Sequence, residues 1–297
     1  MMAVFPEGKP AGTIGGGNVE YEAIQLAREL LKTGENALRR FRFVQDDVTS
    51  LNMICGGDLT LHFQYLCAAA TQTVELFAAM QKVAGQNGSA WLVRRIEGET
   101  VVSMEVVERV GVHDEPAFPI TILGCKAVWQ DGWLATPIAQ AGHLYIFGAG
   151  HVSQALVPAA AAVGFRPVVY DDRPMFANPA LFPQAERVLC GPFEELEQQI
   201  LVTPDDYVVI MTQGHQADYE VLTRVLRSGA KYIGCIGSKR KLAQCRDQLL
   251  QEGFTAEEYA VVHAPIGLAI GAETPAEIAV SVTAELIATR AGVARQR

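Results

Sequence analysis

The two halves of the chain carry different patterns of apolar and polar positions. In the second half, short apolar runs alternate with stretches of helical period. Runs at 144–147, 166–170, 187–190, 207–211, 231–236 and 260–262 predict strands, and segments at 152–163, 219–227 and 239–251 between them predict helices. Thr274, Pro275 and Glu277 form a capping box with proline at the first helical position, opening a helix that runs to about Thr289. Strand–helix alternation of this kind implies a parallel, doubly wound Rossmann-like sheet.

The first half reads as a smaller α+β domain. Residues 2–5 and the turn at Pro6 to Lys9 suggest half of a hairpin. Asn18 is expected to cap a helix to Leu31, with Val19, Ala23, Leu26, Ala27 and Leu30 on one face and Gly34 beyond its end. A helix at 73–83, an alternating strand at 59–63, and hairpins at Gly98 and at Asp131-Gly132 follow. The boundary falls near Pro137 to Gly142, giving an N-terminal domain at 1–138 and a Rossmann-like domain at 139–297.

Composition narrows the partners. A net charge of −9 with no basic run argues against nucleic acid, whose phosphates are met by basic surfaces. No apolar run is long enough for a membrane span, and no charged-then-apolar leader is visible, so a cytoplasmic protein is expected. The six cysteines show no CxxC pair and no metal spacing, the pattern of reduced thiols.

Candidate chemistry gathers at glycine-rich turns. Gly148, Gly150 and His151 join the first predicted parallel strand to a helix whose amides face a phosphate or pyrophosphate. Ser153 stands where a third glycine is usual. Asp171 lies 23 positions after Gly148, the spacing of a ribose-binding carboxylate. Gly214 and His215 follow the fourth predicted strand, beside the first in the common strand order, so His215 and His151 are expected to share a crevice. Each is also readable as a surface histidine. Gly237, Ser238, Lys239 and Arg240 open another helix, where cations beside helix amides are locally unfavourable and so suggest an anion. In the N-terminal half, Gly15, Gly16 and Gly17 precede a helix bearing Glu20 in its first turn, again suited to an anion. Cys55, flanked by Gly56 and Gly57, is either an open thiol able to act as nucleophile or metal ligand, or a buried strand-end cysteine. Its spacing leaves both open.

Taken together, Gly12 to Gly17 with Val19 and Glu20, Cys55 to Gly57, Phe147 to Val152, Asp171 to Arg173, Gly234 to Arg240 and Pro265 to Gly271 with Thr274 and Pro275 resemble the XdhC/CoxI family of accessory factors for molybdenum hydroxylases. The resemblance implies a non-catalytic chaperone that binds the molybdenum cofactor (molybdopterin), supports its sulfuration by a cysteine desulfurase, and delivers it to a hydroxylase such as xanthine dehydrogenase. It places Cys55 on the molybdenum side and the glycine turns on the phosphate side. It also implies an upstream strand and a ligand-facing arginine loop that this chain does not carry, so the N-terminal domain is expected to lack its first segment. A homodimer is the expected assembly. The alternatives are an NAD(P)-dependent oxidoreductase using Gly148, Gly150 and Asp171 with His215 as acid/base, or a nucleotide-sensing regulatory protein.

Overall fold

The computed structural model describes residues 1–43, 57–84, 88–108 and 116–293. The chain forms two compact units, Met1–Gln140 and Ala141–Arg297.

In the first unit, β1 (Met2–Ala3) pairs antiparallel with β2 (Ala11–Gly12), and α1 (Gly17–Thr33) follows. An antiparallel pair, β3 (Ala37–Phe43) with β4 (Gly57–Phe63), comes next, then α2 (Thr71–Ala84). A four-stranded antiparallel sheet closes the unit: β5 (Ala90–Glu97), β6 (Thr100–Glu108), β7 (Val128–Gln130) and β8 (Trp133–Ala139), in the order β6-β5-β8-β7. Strand alternation sends Val93 and Ala135 to one face, where they pack with Phe118 and Ile122. The expected turns are present. Asp131 takes φ 50° and Gly132 φ 77°, the left-handed pair that a two-residue hairpin loop needs. One expectation fails. Gly16, not Asn18, caps α1, and its amide is taken by the Glu20 carboxylate.

The second unit is a six-stranded parallel sheet in the order β11-β10-β9-β12-β13-β14. Its elements are β9 (Leu144–Phe147), α3 (His151–Ala162), β10 (Pro167–Asp171), β11 (Arg187–Cys190), β12 (Tyr207–Ile210), α4 (His215–Val225), β13 (Tyr232–Cys235), α5 (Lys239–Gln251), a short α6 (Ala256–Ala260), β14 (Val262–His263) and α7 (Pro275–Arg290). Period-two alternation divides the strands between two cores. Leu144, Ile146, Val169 and Val209 pack under α3 and α7 through Leu156, Val157, Val282 and Leu286. Tyr145, Phe147, Val168 and Ile210 pack under α4 and α5 through Val221, Leu222 and Leu249. Side chains fully withdrawn on both faces each contribute about 1.5–3 kcal/mol of burial, enough to fix this register. The strand expected at 260–262 is shifted. Thr255 and Glu258 form a reciprocal capping box that claims Ala260 for α6, so β14 begins at Val262. Among the described residues, no helix is long and apolar enough to cross a membrane.

Candidate functional site

The C-terminal edge of the parallel sheet is built around the turn from β9 into α3. Gly148 takes φ 101°, and a Cβ there would lie 2.2 Å from the Met211 carbonyl oxygen. The close approach of β12 therefore demands this glycine whatever ligand binds. Ser153, buried, donates its hydroxyl to the Gly148 carbonyl at 2.5 Å, so the serine in place of a third glycine latches the turn shut. Gly150 is different. It caps α3 with no side-chain hydrogen bond to the helix, and a Cβ on it would meet nothing within 4 Å. The backbone at this helix start is thus open to close approach at Gly150, with exposed His151 beside it.

Asp171, at the end of β10, does not present a free carboxylate to that space. Its Oδ2 accepts from the Ala149 amide at 2.7 Å and from Arg173 Nη2 at 2.8 Å; its Oδ1 accepts from the Arg173 amide at 2.9 Å and Nε at 2.8 Å. Four bonds fill the acceptor capacity of a carboxylate, and only 1% of the residue is exposed. Burial raises the Asp171 pKa, but the Arg173 and Ala149 bonds outweigh it and hold it below the ordinary value. In place of the ribose contact that the spacing suggested, Asp171 ties the glycine turn to the β10 loop. Half-exposed Asp172 is the nearby acid left facing solvent, with its pKa raised by burial and by the charge of Asp171. Arg173 stacks on Phe176, 4.0 Å from the ring centroid, and also donates to Gln213 in the loop after β12. Since β10 and β12 flank β9, that guanidinium spans the front of the Gly148–Gly150 turn.

The two remaining corners lie after β12 and β13. Gly214 caps α4 at φ 107° without a side-chain bond, and His215 is exposed in the first turn. His151 and His215 start the helices that follow adjacent strands, so both project from the same edge. Among the described residues no hydrogen bond joins them. Ser238 caps α5 by accepting from the Lys241 amide at 3.4 Å. Arg240 is exposed; the Lys239 side chain is outside the described set. The cation at this helix start has a partner the spacing did not reveal. Lys241 Nζ lies 2.5 Å from Oδ2 of buried Asp218, whose Oδ1 accepts from the Thr212 amide and hydroxyl. Asp218 in the first turn of α4 was legible only as a favourable charge near a helix N-terminus.

In the first unit, Gly15, Gly16 and Gly17 take φ 125°, 77° and 72°, a run only glycine adopts without strain. Their amides are largely used internally. Glu20 Oε2 accepts from the Thr13 hydroxyl at 2.5 Å and from the Ile14 and Gly16 amides at 3.0 Å each, and Gly15 donates to Thr13 Oγ1 at 3.1 Å. Glu20 itself fills the anion seat expected for a ligand. The Thr13 hydroxyl and these amides also hold its pKa below the ordinary value. Cys55 and Gly56 lie outside the described residues, and Gly57 begins β4. Among the described residues no cluster of three His, Cys, Asp or Glu side chains could hold a metal ion.

Comparison with known proteins meets this geometry at both ends of the chain. A family model described as the XdhC Rossmann domain matches residues 144–286, and one described as the XdhC and CoxI family matches residues 1–42. Uncharacterized protein YqeB of Escherichia coli (strain K12) is 37% identical over 145 residues, 48% of this chain and 26% of its own length. A probable xanthine dehydrogenase subunit of Bacillus subtilis (strain 168) is 35% identical over 151 residues, 51% of this chain and 44% of its own. The match thus spans less than half the length of either relative. Molybdenum cofactor insertion chaperone PaoD of Escherichia coli (strain K12) is 22% identical over 290 residues, 97% of this chain and 77% of its own. A solved structure described as a xanthine dehydrogenase from Bacillus halodurans shares the fold at TM-score 0.76 and 24% identity, covering 97% of this chain and 85% of that one. With the Rossmann match lying on the parallel sheet and the second match on the glycine loop and α1, the chain belongs to the XdhC and CoxI family.

Proposed function

We propose that this chain is an accessory factor that binds the molybdenum cofactor, keeps it available for sulfuration by a cysteine desulfurase, and passes it to a hydroxylase of the xanthine dehydrogenase type. The observation that carries the reading is Gly150. An uncapped helix start facing open space offers backbone donors to a phosphate, and the phosphate or pyrophosphate of a pterin cofactor is such a group. The names of the relatives in Bacillus subtilis and Escherichia coli support the same direction.

In this reading Gly150 and the first turns of α3 and α4 hold the phosphate, with His151 and His215 at its edges. Arg173 stands across the turn as a counter-charge, and Asp172 takes any ribose hydroxyl in place of the saturated Asp171. Gly237 to Arg240 border the same edge. Cys55, with Gly56 and Gly57, is proposed as a soft donor of the kind that a sulfur-liganded molybdenum takes. The NAD(P) alternative draws on the same turn. It is less well supported, because its ribose acceptor, Asp171, is already filled.

The deciding experiment is anaerobic purification from a molybdenum-replete host, followed by metal analysis and fluorescence of the oxidised pterin. Molybdenum and pterin in fixed ratio to protein, with molybdenum reduced in Cys55→Ser, is the expected result. Preparations without either, that instead bind reduced nicotinamide, would transfer the assignment to the nucleotide reading.

A further inference from the structure

The first unit contains a cationic group that the proposed site does not use. Arg94 lies on β5, directly opposite Met104 of β6 and beside Thr136 of β8. Its neighbour Arg95, on the other face of the strand, is well supplied. It donates to the Asp131 carbonyl at 2.6 Å, lies 3.6 Å from Glu97 and stands over the Trp133 ring. Among the described residues Arg94 has one hydrogen bond, from Nη2 to Thr136 Oγ1 at 2.6 Å, and its Nε is shut away from water with no partner there. Among the described residues no carboxylate pairs with it. Burial depresses its pKa, as for a charge withdrawn from solvent without compensation.

A second orphan lies close by. His62, near the C-terminal end of β4, and Gln64, just beyond it, both reach the β5–β6 hairpin. Gln64 meets Met104 Sδ at 3.6 Å, opposite Arg94, and His62 Nε2 meets the Glu99 carbonyl at 3.3 Å. His62 Nδ1 is buried and unpartnered. Burial, and then the nearby Arg94 charge, lower the His62 pKa; of the acids at this corner, Glu99 is exposed and lies 3.9 Å from Arg39. Buried donors are normally satisfied, and buried charges normally paired.

We propose that Arg94, His62 and Thr136 form an oxyanion site in the first unit, taking a phosphate-class group on the guanidinium fork, with His62 Nδ1 accepting from a protonated oxygen of that group because Nε2 donates to the Glu99 carbonyl. The site shares no residue with the glycine turn of the parallel sheet.

The test titrates the full chain with inorganic phosphate, against chloride at matched ionic strength, by calorimetry and thermal melting. The Gly150→Val background closes the other phosphate corner. Phosphate is expected to raise the melting temperature. Arg94→Gln should weaken affinity tenfold or more, His62→Gln several-fold, and Arg94→Lys, which keeps the charge without the fork, by an intermediate factor. Arg94→Met should melt at or above the parent temperature in phosphate-free buffer and lose the phosphate response, since it removes an uncompensated charge. Equal phosphate affinity in the parent and Arg94 variants, no phosphate binding by the parent, or a lower phosphate-free melting temperature for Arg94→Met would each overturn the assignment.

Discussion

Lys241 Nζ and Asp218 Oδ2 meet at 2.5 Å across the space between α5 and α4, joining the loops after β13 and β12 beneath the open edge of the sheet. Asp218 is 2% exposed and also holds the Thr212 amide and hydroxyl, so its carboxylate organises three elements. Removing it strands a partly buried cation and a loop amide. Asp218→Ala should cost about 2–4 kcal/mol in urea unfolding, with the Lys241 exposure keeping it toward the lower end. Asp218→Leu combined with Lys241→Met should recover part of that loss. A single variant as stable as the parent would show that the pair contributes nothing net.

Two glycines in one turn separate folding from ligand approach. The added methyl of Gly148→Ala meets the Met211 carbonyl at 2.2 Å, in a left-handed backbone. The strand ends must part, and stability should fall by about 3 kcal/mol or more. Gly150→Ala projects into open space from an extended backbone, so its cost should stay near 0.5–1 kcal/mol while phosphate or cofactor retention drops. Circular dichroism melts with bound-pterin analysis distinguish the two. Parallel losses of stability in both variants would show that Gly150, like Gly148, serves packing.

The sheet was legible because apolar strands buried on both faces alternate with helices at a scale one sequence window can see. The placement of β9 next to β12 followed from the common doubly wound strand order rather than from the local pattern. The functional edge was half legible. Gly148, Gly150, Gly214 and Ser238 mark helix starts, and helix starts are written in adjacent residues. What those starts already bind is not. Asp171 is filled by Arg173 two residues on and by Ala149 from the turn after β9, and Lys241 is claimed by Asp218 from another helix. Spacing gives the presence of a carboxylate but not its occupancy, which depends on chain segments brought together by folding. The same reason hid Arg94 and His62, whose significance lies in partners they lack.

Glu285 gives the second unit a defined acid sensitivity. Buried on α7, it accepts from Tyr232 at 2.6 Å and the Gly267 amide at 2.7 Å, and lies 3.0 Å from His263 Nδ1. Burial alone would raise its pKa; the His263, Tyr232 and Gly267 bonds prevail and lower it from 4.5 to about 2. A carboxylate with a depressed folded-state pKa contributes stability above its unfolded value and loses it as pH falls toward the folded one. Glu285 should therefore supply about 3 kcal/mol above pH 5, fading between about pH 5 and 2. Glu285→Gln should be less stable at neutral pH and show a flatter profile through that window. A variant whose profile parallels the parent would place the acid sensitivity elsewhere.

Glu20 decides whether the glycine loop of the first unit is a ligand seat or a self-capped turn. Its Oε2 collects the Thr13 hydroxyl and the Ile14 and Gly16 amides, the donors a bound anion would need, and its lowered pKa keeps it charged through the mildly acidic range. An external anion would have to displace it against like-charge repulsion. Glu20→Ala should therefore speed amide hydrogen exchange at Ile14 and Gly16, and added inorganic phosphate should slow it again in the variant while leaving the parent unchanged. If phosphate instead protects these amides in the parent, the carboxylate swings aside for ligand, and Gly15 to Gly17 regain the role their spacing suggested. The two outcomes differ in which oxygen the amides face, and exchange at two named residues reads that directly.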